Sequence, residues 1–96
     1  MGIKAAVLNV KDNVGVALTD LESGAELELK VNGRTLSVKL TEPIAYQHKF
    51  SVTRINSGAK IVKYGEVIGE ATRDIAPGQH VHIHNMTGLR AKAAKK

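Results

Sequence analysis

A short pattern that recurs four times constrains the fold of this chain more than any other feature. An aliphatic residue is followed three positions later by a turn residue, and an apolar residue follows three positions after that. The copies are Leu21-Gly24-Leu27, Ile44-Gln47-Phe50, Ile55-Gly58-Ile61 and Ile75-Gly78-Val81. Glycine supplies the positive φ of a tight turn, and Pro77 before Gly78 favours type II. We therefore predict short strands joined by tight turns, with a turn of another type at Gln47.

The segments between these turns have the alternation or the short apolar runs of strands. They predict eight strands, at 5–10, 14–18, 26–31, 35–40, 50–54, 60–63, 67–71 and 80–84. Asn32-Gly33 predicts a type I′ hairpin turn, because such a turn needs positive φ at both central residues. Residues 89–96 alone suggest a helix, and they are too few for a stable one. The predicted class is all-β with many turns.

The size and composition of the chain limit its architecture. Its 96 residues suffice for one domain with a modest core, but not for a cleft between two lobes. The only aromatic residues are Tyr46, Phe50 and Tyr64, so the core must be aliphatic. The chain has no cysteine, which excludes disulfides, thiolate ligands and a cysteine nucleophile. Without a signal-like or membrane-length apolar run, we expect a cytoplasmic protein.

The formal net charge of +5 is concentrated at one end of the chain. Residues 1–48 hold five Lys/Arg and six Asp/Glu, whereas residues 49–96 hold nine and three. Four of those nine lie in residues 89–96, so we predict a nearly neutral domain at 1–88 and a basic C-terminal tail at 89–96. Basic residues are not interleaved with aromatic ones, so the sequence predicts no nucleic-acid partner. The lack of a membrane-length apolar run predicts no membrane partner.

Three histidines occupy alternate positions in the run His80-Val81-His82-Ile83-His84-Asn85. If this run is a strand, three imidazoles lie on one face and two apolar side chains on the other. Imidazole is well suited to bind a divalent metal or to move a proton near neutral pH. The alternative is a solvated strand face without a chemical task. His48 can join the three only if the fold brings its strand alongside.

A metal site made of these three histidines alone meets a geometric difficulty. Side chains two residues apart on a strand are separated by roughly 6.5 to 7 Å. Three such imidazoles would struggle to place nitrogens about 2.1 Å from one ion. Two of them could share a metal if His48 or a partner supplied the remaining ligands.

Several segments together resemble the SAF domain of the altronate and galactarate dehydratase family. They are the Ile-x-x-Gly turns, the stretch at 12–18, the segment at 63–69, Asp74-Ile75-Ala76-Pro77-Gly78 and the histidine run ending at Asn85. The similarity extends from about Val7 to Asn85. It implies a β-clip fold of short strands and hairpins, in agreement with the all-β prediction. In this family the domain opens a long dehydratase or forms a separate small subunit, as in sulfolactate sulfo-lyase, and a chain this short is similar to the small-subunit form.

The resemblance also implies lyase chemistry, the removal of water or sulfite from an acidic hydroxy acid. Such an elimination requires a base for the α proton, stabilisation of the resulting negative charge, and an acid for the leaving group. A divalent metal, iron or another divalent cation, commonly supplies the stabilisation. The chain has few converging acidic groups for such a site. We therefore expect a large dehydratase subunit to hold the metal and most catalytic groups, with this chain completing the active site.

Within that hypothesis the candidate residues fall into three groups. The catalytic candidates are His80, His82 and His84; the substrate-binding candidates are Asn85, His48, Lys49, Tyr64 and Glu66; and His82 and His84 are candidate metal ligands. Tyr64-Gly65-Glu66 is equally consistent with a structural turn, and Lys49 with a solvated side chain. The alternative function is a non-catalytic carbohydrate- or protein-binding β-clip module.

Overall fold

The computed structural model describes residues 4–88, so the predicted basic tail at 89–96 lies outside the described residues. The described residues form nine strands: β1 Ala5–Ala6, β2 Val14–Ala17, β3 Glu26–Val31, β4 Arg34–Lys39, β5 Lys49–Ser51, β6 Lys60–Lys63, β7 Glu66–Ala71, β8 His80–Val81 and β9 Met86–Gly88. Residues 4–88 contain no helix, and therefore none that is long and apolar enough to cross a membrane. The all-β prediction, a fold of short strands and hairpins, is confirmed.

The strands form three small antiparallel sheets. One has the order β1-β2-β5-β8, one is the hairpin β3-β4, and one has the order β6-β7-β9. The hairpin turn at Asn32-Gly33 has φ of 49° and 79°, as the type I′ prediction requires. In β3 exposed and buried residues alternate along the whole strand, so one face is exposed to solvent and the other is buried.

The four copies of the repeated pattern adopt one shared turn. The central residues have φ of 86° at Gly24, 70° at Gln47, 87° at Gly58 and 87° at Gly78. All eight flanking apolar residues of the pattern are buried. The prediction of a different turn at Gln47 is wrong, because the Gln47 N–H donates to the Ala17 carbonyl at 2.8 Å and tertiary pairing imposes the left-handed conformation.

The apolar residues of the repeats anchor two hydrophobic clusters. Leu21, Leu27, Ile44 and Phe50 belong to a larger cluster that includes residues of β1 to β4. Ile55, Ile61, Ile75 and Val81 form a smaller cluster with Val14 and Ala71. Antiparallel bridges join Leu21 to Ile44 and Ile55 to Ile75, so the copies pair two by two. The repeated turns therefore set both the path of the chain and the position of its core.

The predicted strand at 80–84 is wrong beyond Val81. The chain bends at His82, turns through residues 83–85 and re-enters a sheet as β9. Ile83 is 81% exposed, whereas strand alternation required it to be buried. The cause is the Asn85 side chain, whose Oδ1 accepts from the His82 N–H at 2.9 Å and whose Nδ2 donates to the His80 carbonyl at 2.8 Å. Such local bonds from an asparagine side chain compete with a strand ladder.

Two other strands end three or more residues before their predicted ends. β1 ends at Ala6 instead of residue 10, because the Asp12 carboxylate accepts the N–H groups of Leu8 and Asn9 and holds the chain in a turn. β5 ends at Ser51 instead of residue 54: the Val52 N–H still donates to the Asn13 carbonyl in the β2–β5 register, but the Asn13 N–H donates to the Val62 carbonyl at 3.2 Å instead of returning the bond. In both places a hydrogen bond outside the ladder ends the strand before its apolar pattern does.

Candidate functional site

Strand pairing brings His48 to the histidine run. His48 lies one residue before β5, and His82 lies one residue after β8. The two strands are antiparallel, with Lys49 opposite Val81. Continuing this register by one residue places His48 opposite His82, with His80 on the diagonal. The condition under which His48 could join the other histidines is therefore met.

His80 lies at the centre of a group of four imidazoles, here called the histidine cluster: His48, His80, His82 and His84. The His80 ring centroid lies 5.0 Å from that of His48, 5.6 Å from His82 and 5.5 Å from His84, and the His48 and His82 centroids are 5.1 Å apart. Residues two apart on a straight strand would be farther from each other. The turn at 82–85, instead of strand alternation, draws the three neighbouring rings together.

The two half-buried rings of the cluster are hydrogen-bonded to each other. His48 Nδ1 and His80 Nε2 are 2.8 Å apart, so one nitrogen carries the proton and donates it to the other. This bond couples the tautomers of the two rings when both imidazoles are neutral: either both carry the proton on Nδ1 or both carry it on Nε2. His82 and His84 are exposed and lie around the pair. The cluster thus has a fixed inner pair and two outer imidazoles open to solvent.

Packing favours the neutral imidazole in this cluster. Burial lowers the pKa of His80, and repulsion from the other three histidines lowers it further, while the Glu42 carboxylate acts in the opposite direction. The pKa of His82 is also lowered. Partial desolvation of its ring is the larger cause, and repulsion from the neighbouring lysine and histidine side chains adds to it. Neutral imidazole can accept a proton or bind a metal.

A half-buried lysine lies beside the cluster. Burial lowers the pKa of Lys49, and the neighbouring Lys63 ammonium lowers it further. The charge of Lys49 also lowers the pKa of His82, so the Lys49 ammonium lies close to the cluster. A carboxylate, that of Glu42, accepts the backbone N–H of His80 at 3.0 Å. The cluster therefore has both a lysine and a carboxylate beside it.

The remaining predicted site residues have other surroundings. Asn85 is only 3% exposed, and both ends of its amide bond the backbone of the histidine turn. Tyr64 and Gly65 have φ of 53° and 82° and form the β6–β7 hairpin turn, where the Gly65 N–H donates to Asp12 Oδ1 at 2.7 Å. Glu66 is exposed at the start of β7. Asn85 shapes the site, whereas Tyr64 and Glu66 lie on a different sheet from the histidine strands.

Sequence reasoning missed two residues that the fold brings to this site. Glu42 lies 38 residues before His80, and Lys63 lies 14 residues after Lys49. Glu42 belongs to no motif and Lys63 is only the first residue of the 63–69 segment, and each reaches the site through the pairing of distant segments. Sequence alone carried no signal for either residue.

Three residues of the cluster meet the geometric requirement for holding a metal ion. His48, His80 and His82, here called the histidine trio, each offer a ring nitrogen, and these nitrogens all lie within 4.8 Å of one another. Three neutral imidazoles are a donor set suited to Zn²⁺ and other first-row transition metals, but not to Mg²⁺ or Ca²⁺. The trio differs from the candidate pair His82 and His84: it excludes His84, and it includes His80 and also His48, which lies next to β5.

Comparison with known proteins agrees with this fold. Residues 3–89 match the family model described as the altronate/galactarate dehydratase SAF domain. The chain is 47% identical over 78 residues to an altronate dehydratase of Escherichia coli and 36% identical over 78 residues to one of Bacillus subtilis. These matches cover 81% of the chain but only 15% of each dehydratase.

A third relative has a size similar to that of this chain. The (2R)-sulfolactate sulfo-lyase subunit alpha of Chromohalobacter salexigens is 32% identical over 93 residues, and the match covers 94% of the chain and 99% of that subunit. The repeated turns, the 63–69 segment and the histidine run all fall within the matched family model. The chain therefore belongs to the family of SAF domains of altronate and galactarate dehydratases.

Proposed function

We propose that this chain is the small subunit of a lyase that acts on an acidic sugar or a related hydroxy acid. The observation that carries the proposal is the match over 99% of a protein that is itself named a lyase subunit. The exposed histidine cluster beside Lys49 adds chemistry of the right kind, since neutral imidazoles and a cation suit an anionic substrate. The cytoplasmic location stays a prediction.

The cluster has groups for two of the three needs of an elimination. An outer imidazole, His82 or His84, can take or give a proton at a substrate bound above it. Lys49 can attract the substrate carboxylate, and the inner His48–His80 pair holds the neighbouring rings in place. The third need is stabilisation of the negative charge that forms when the α proton leaves. A bound divalent metal, iron or another divalent cation, would supply that stabilisation.

The openness of the site explains why a large subunit is part of the proposal. His82, Ile83 and His84 are all exposed, so water reaches the outer imidazoles freely. Elimination chemistry is favoured in a site from which water is excluded. We propose that a large dehydratase subunit covers the cluster, supplies the carboxylate ligands of the metal and carries most of the catalytic groups. Ile83, exposed between the two outer histidines, would be buried by that contact.

Co-expression tests the proposal. The chain is produced with and without a dehydratase large subunit that has no SAF domain and is encoded in the same genome. Dehydration of aldonates and aldarates and release of sulfite from sulfolactate are then measured. We expect a complex, and activity that requires both chains. Failure of the chains to associate, with no effect of this chain on activity, would contradict the proposal and favour the binding-module alternative.

A further inference from the structure

We infer that the histidine trio, His48, His80 and His82, is a transition-metal site contained within this chain. The sequence favoured ligands from the run of alternate histidines, but the fold selects a different set. Two ligands come from the run and the third comes from the start of β5. This inference does not need the proposed lyase function, because it concerns residues of this chain alone.

The nitrogen positions require only a small rearrangement. At zinc–nitrogen distances of about 2.1 Å, a tetrahedral ion holds its ligand nitrogens roughly 3.4 Å apart. The His48 Nδ1 to His80 Nε2 distance of 2.8 Å would open by about half an ångström as the ion takes the place of the shared proton, which moves to the other nitrogen of the ring that carried it. The remaining separations, at most 4.8 Å, close by rotation of the exposed His82 side chain.

The surroundings also suit a site of this type. The Asn85 amide holds the backbone of both His80 and His82, so two ligands are fixed relative to each other. β5 and β8 hold the third ligand in register with them. The site lies at the surface, so an ion bound by three imidazoles keeps a fourth position open to water, substrate or a group of a partner, and His84 is then the outer imidazole left for proton transfer. Three protein ligands with one open position are typical of catalytic zinc sites.

His84 provides a matched control within the same cluster. It is a histidine of the same run, its ring centroid is 5.5 Å from that of His80, and it is exposed like His82. It lies outside the set of nitrogens within 4.8 Å. His82→Gln removes a ligand from an exposed position and retains the backbone bond to Asn85, so this variant is expected to fold. His48→Gln removes the ligand that the sequence pattern did not predict.

Calorimetric titration of the untagged chain with Zn²⁺ tests the inference, with Mg²⁺ as a hard-cation probe. We expect one Zn²⁺ per chain at micromolar affinity or tighter, and no heat with Mg²⁺. His82→Gln and His48→Gln should each weaken binding at least about tenfold, and His84→Gln less than about threefold. The absorption spectrum with Co²⁺ should have the intense visible bands of a tetrahedral ion, and His48→Gln should abolish them. Circular dichroism checks that each variant is folded.

Two outcomes would overturn the inference. One is no Zn²⁺ binding at concentrations of about 100 μM. The other is binding that His84→Gln weakens as much as His48→Gln does, which would assign the ion to the histidine run instead of the trio. Because these measurements use the chain alone, either result would leave the co-expression test of the lyase proposal unaffected, and a failure of that test would leave the metal site standing.

Discussion

Substitution of Gly78 by alanine should destabilise the fold far more than the same substitution at Gly58. Both glycines occupy the central position of the repeated turn, and both have φ of 87°. A side chain at this φ costs roughly 1 to 2 kcal/mol at either position. The difference lies in the space around them: a Cβ at Gly58 meets nothing within 4 Å, whereas a Cβ at Gly78 overlaps the Lys39 carbonyl oxygen and lies 3.2 Å from Leu40 Cα.

The atoms that a Cβ at Gly78 meets belong to the backbone and cannot rotate away. Leu40 is 1% exposed, so relieving the overlap displaces the end of a core segment. The Gly78 N–H donates to Ser51 at 2.9 Å and its carbonyl accepts from Thr41 at 3.0 Å, and both bonds weaken if the turn moves. Overpacking costs typically 1 to 3 kcal/mol, and each weakened bond adds up to about 1 kcal/mol. We expect a total loss of about 3 to 5 kcal/mol for Gly78→Ala.

Urea unfolding followed by far-ultraviolet circular dichroism measures both losses, because the free energy of unfolding falls linearly with urea concentration. Gly58→Ala should lower the free energy of unfolding by about 1 to 2 kcal/mol. Gly24→Ala, at φ of 86° with nothing within 4 Å of the Cβ, should lower it by a similar amount and serves as a second control. Equal losses at Gly78 and Gly58 would refute the packing described around the fourth copy of the pattern.

Three further predictions concern the histidine turn and its surroundings. Asn85→Ala removes two buried side-chain hydrogen bonds. In the same urea assay it should lower the free energy of unfolding by about 2 to 3 kcal/mol. A loss below about 0.5 kcal/mol would contradict the role of the amide. The lowered pKa values of His80 and His82 mean that the unfolded chain binds protons more readily than the folded one, so stability should fall as the pH is lowered through about 6.5. Chemical unfolding between pH 8 and 5 tests this, and His80→Gln should flatten the curve. In the assembled enzyme, Lys49→Gln should raise the KM for the acid substrate about tenfold, because a hydrogen bond to a charged group contributes about 1.5 kcal/mol. Lys49→Arg should keep the KM near that of the unaltered enzyme. An unchanged KM for Lys49→Gln would show that Lys49 does not bind the substrate.

The repeated pattern predicted the fold well because its signal is local. Glycine at the turn and apolar residues three positions on either side determine the conformation and the burial together, whatever the distant chain does. The hairpin turn at Asn32-Gly33 was predictable for the same reason. Gln47 was not, since its left-handed conformation is imposed by a hydrogen bond to Ala17, 30 residues away.

The candidate site was predicted in its residue types but not in its geometry. The alternation of histidines suggested a straight strand, yet the Asn85 amide bends the chain through bonds that a count of apolar and polar positions does not register. Whether His48 would reach the cluster depended on the pairing of β5 with β8. The same dependence on pairing between distant segments concealed Glu42 and Lys63. The sequence identified the histidines, but which of them lie close together depends on the fold.

Turnover of the assembled enzyme with His82→Gln and His84→Gln together tests most directly whether the histidine cluster serves a lyase. A matched control carries Lys30→Gln and Arg34→Gln, which are exposed on the separate β3–β4 hairpin. Because a positioned acid or base contributes on the order of 100-fold or more, the histidine variant should lose at least about 100-fold in kcat while it still folds and still binds the large subunit. The control should retain its activity. Unchanged turnover of the histidine variant in an intact complex would contradict the account.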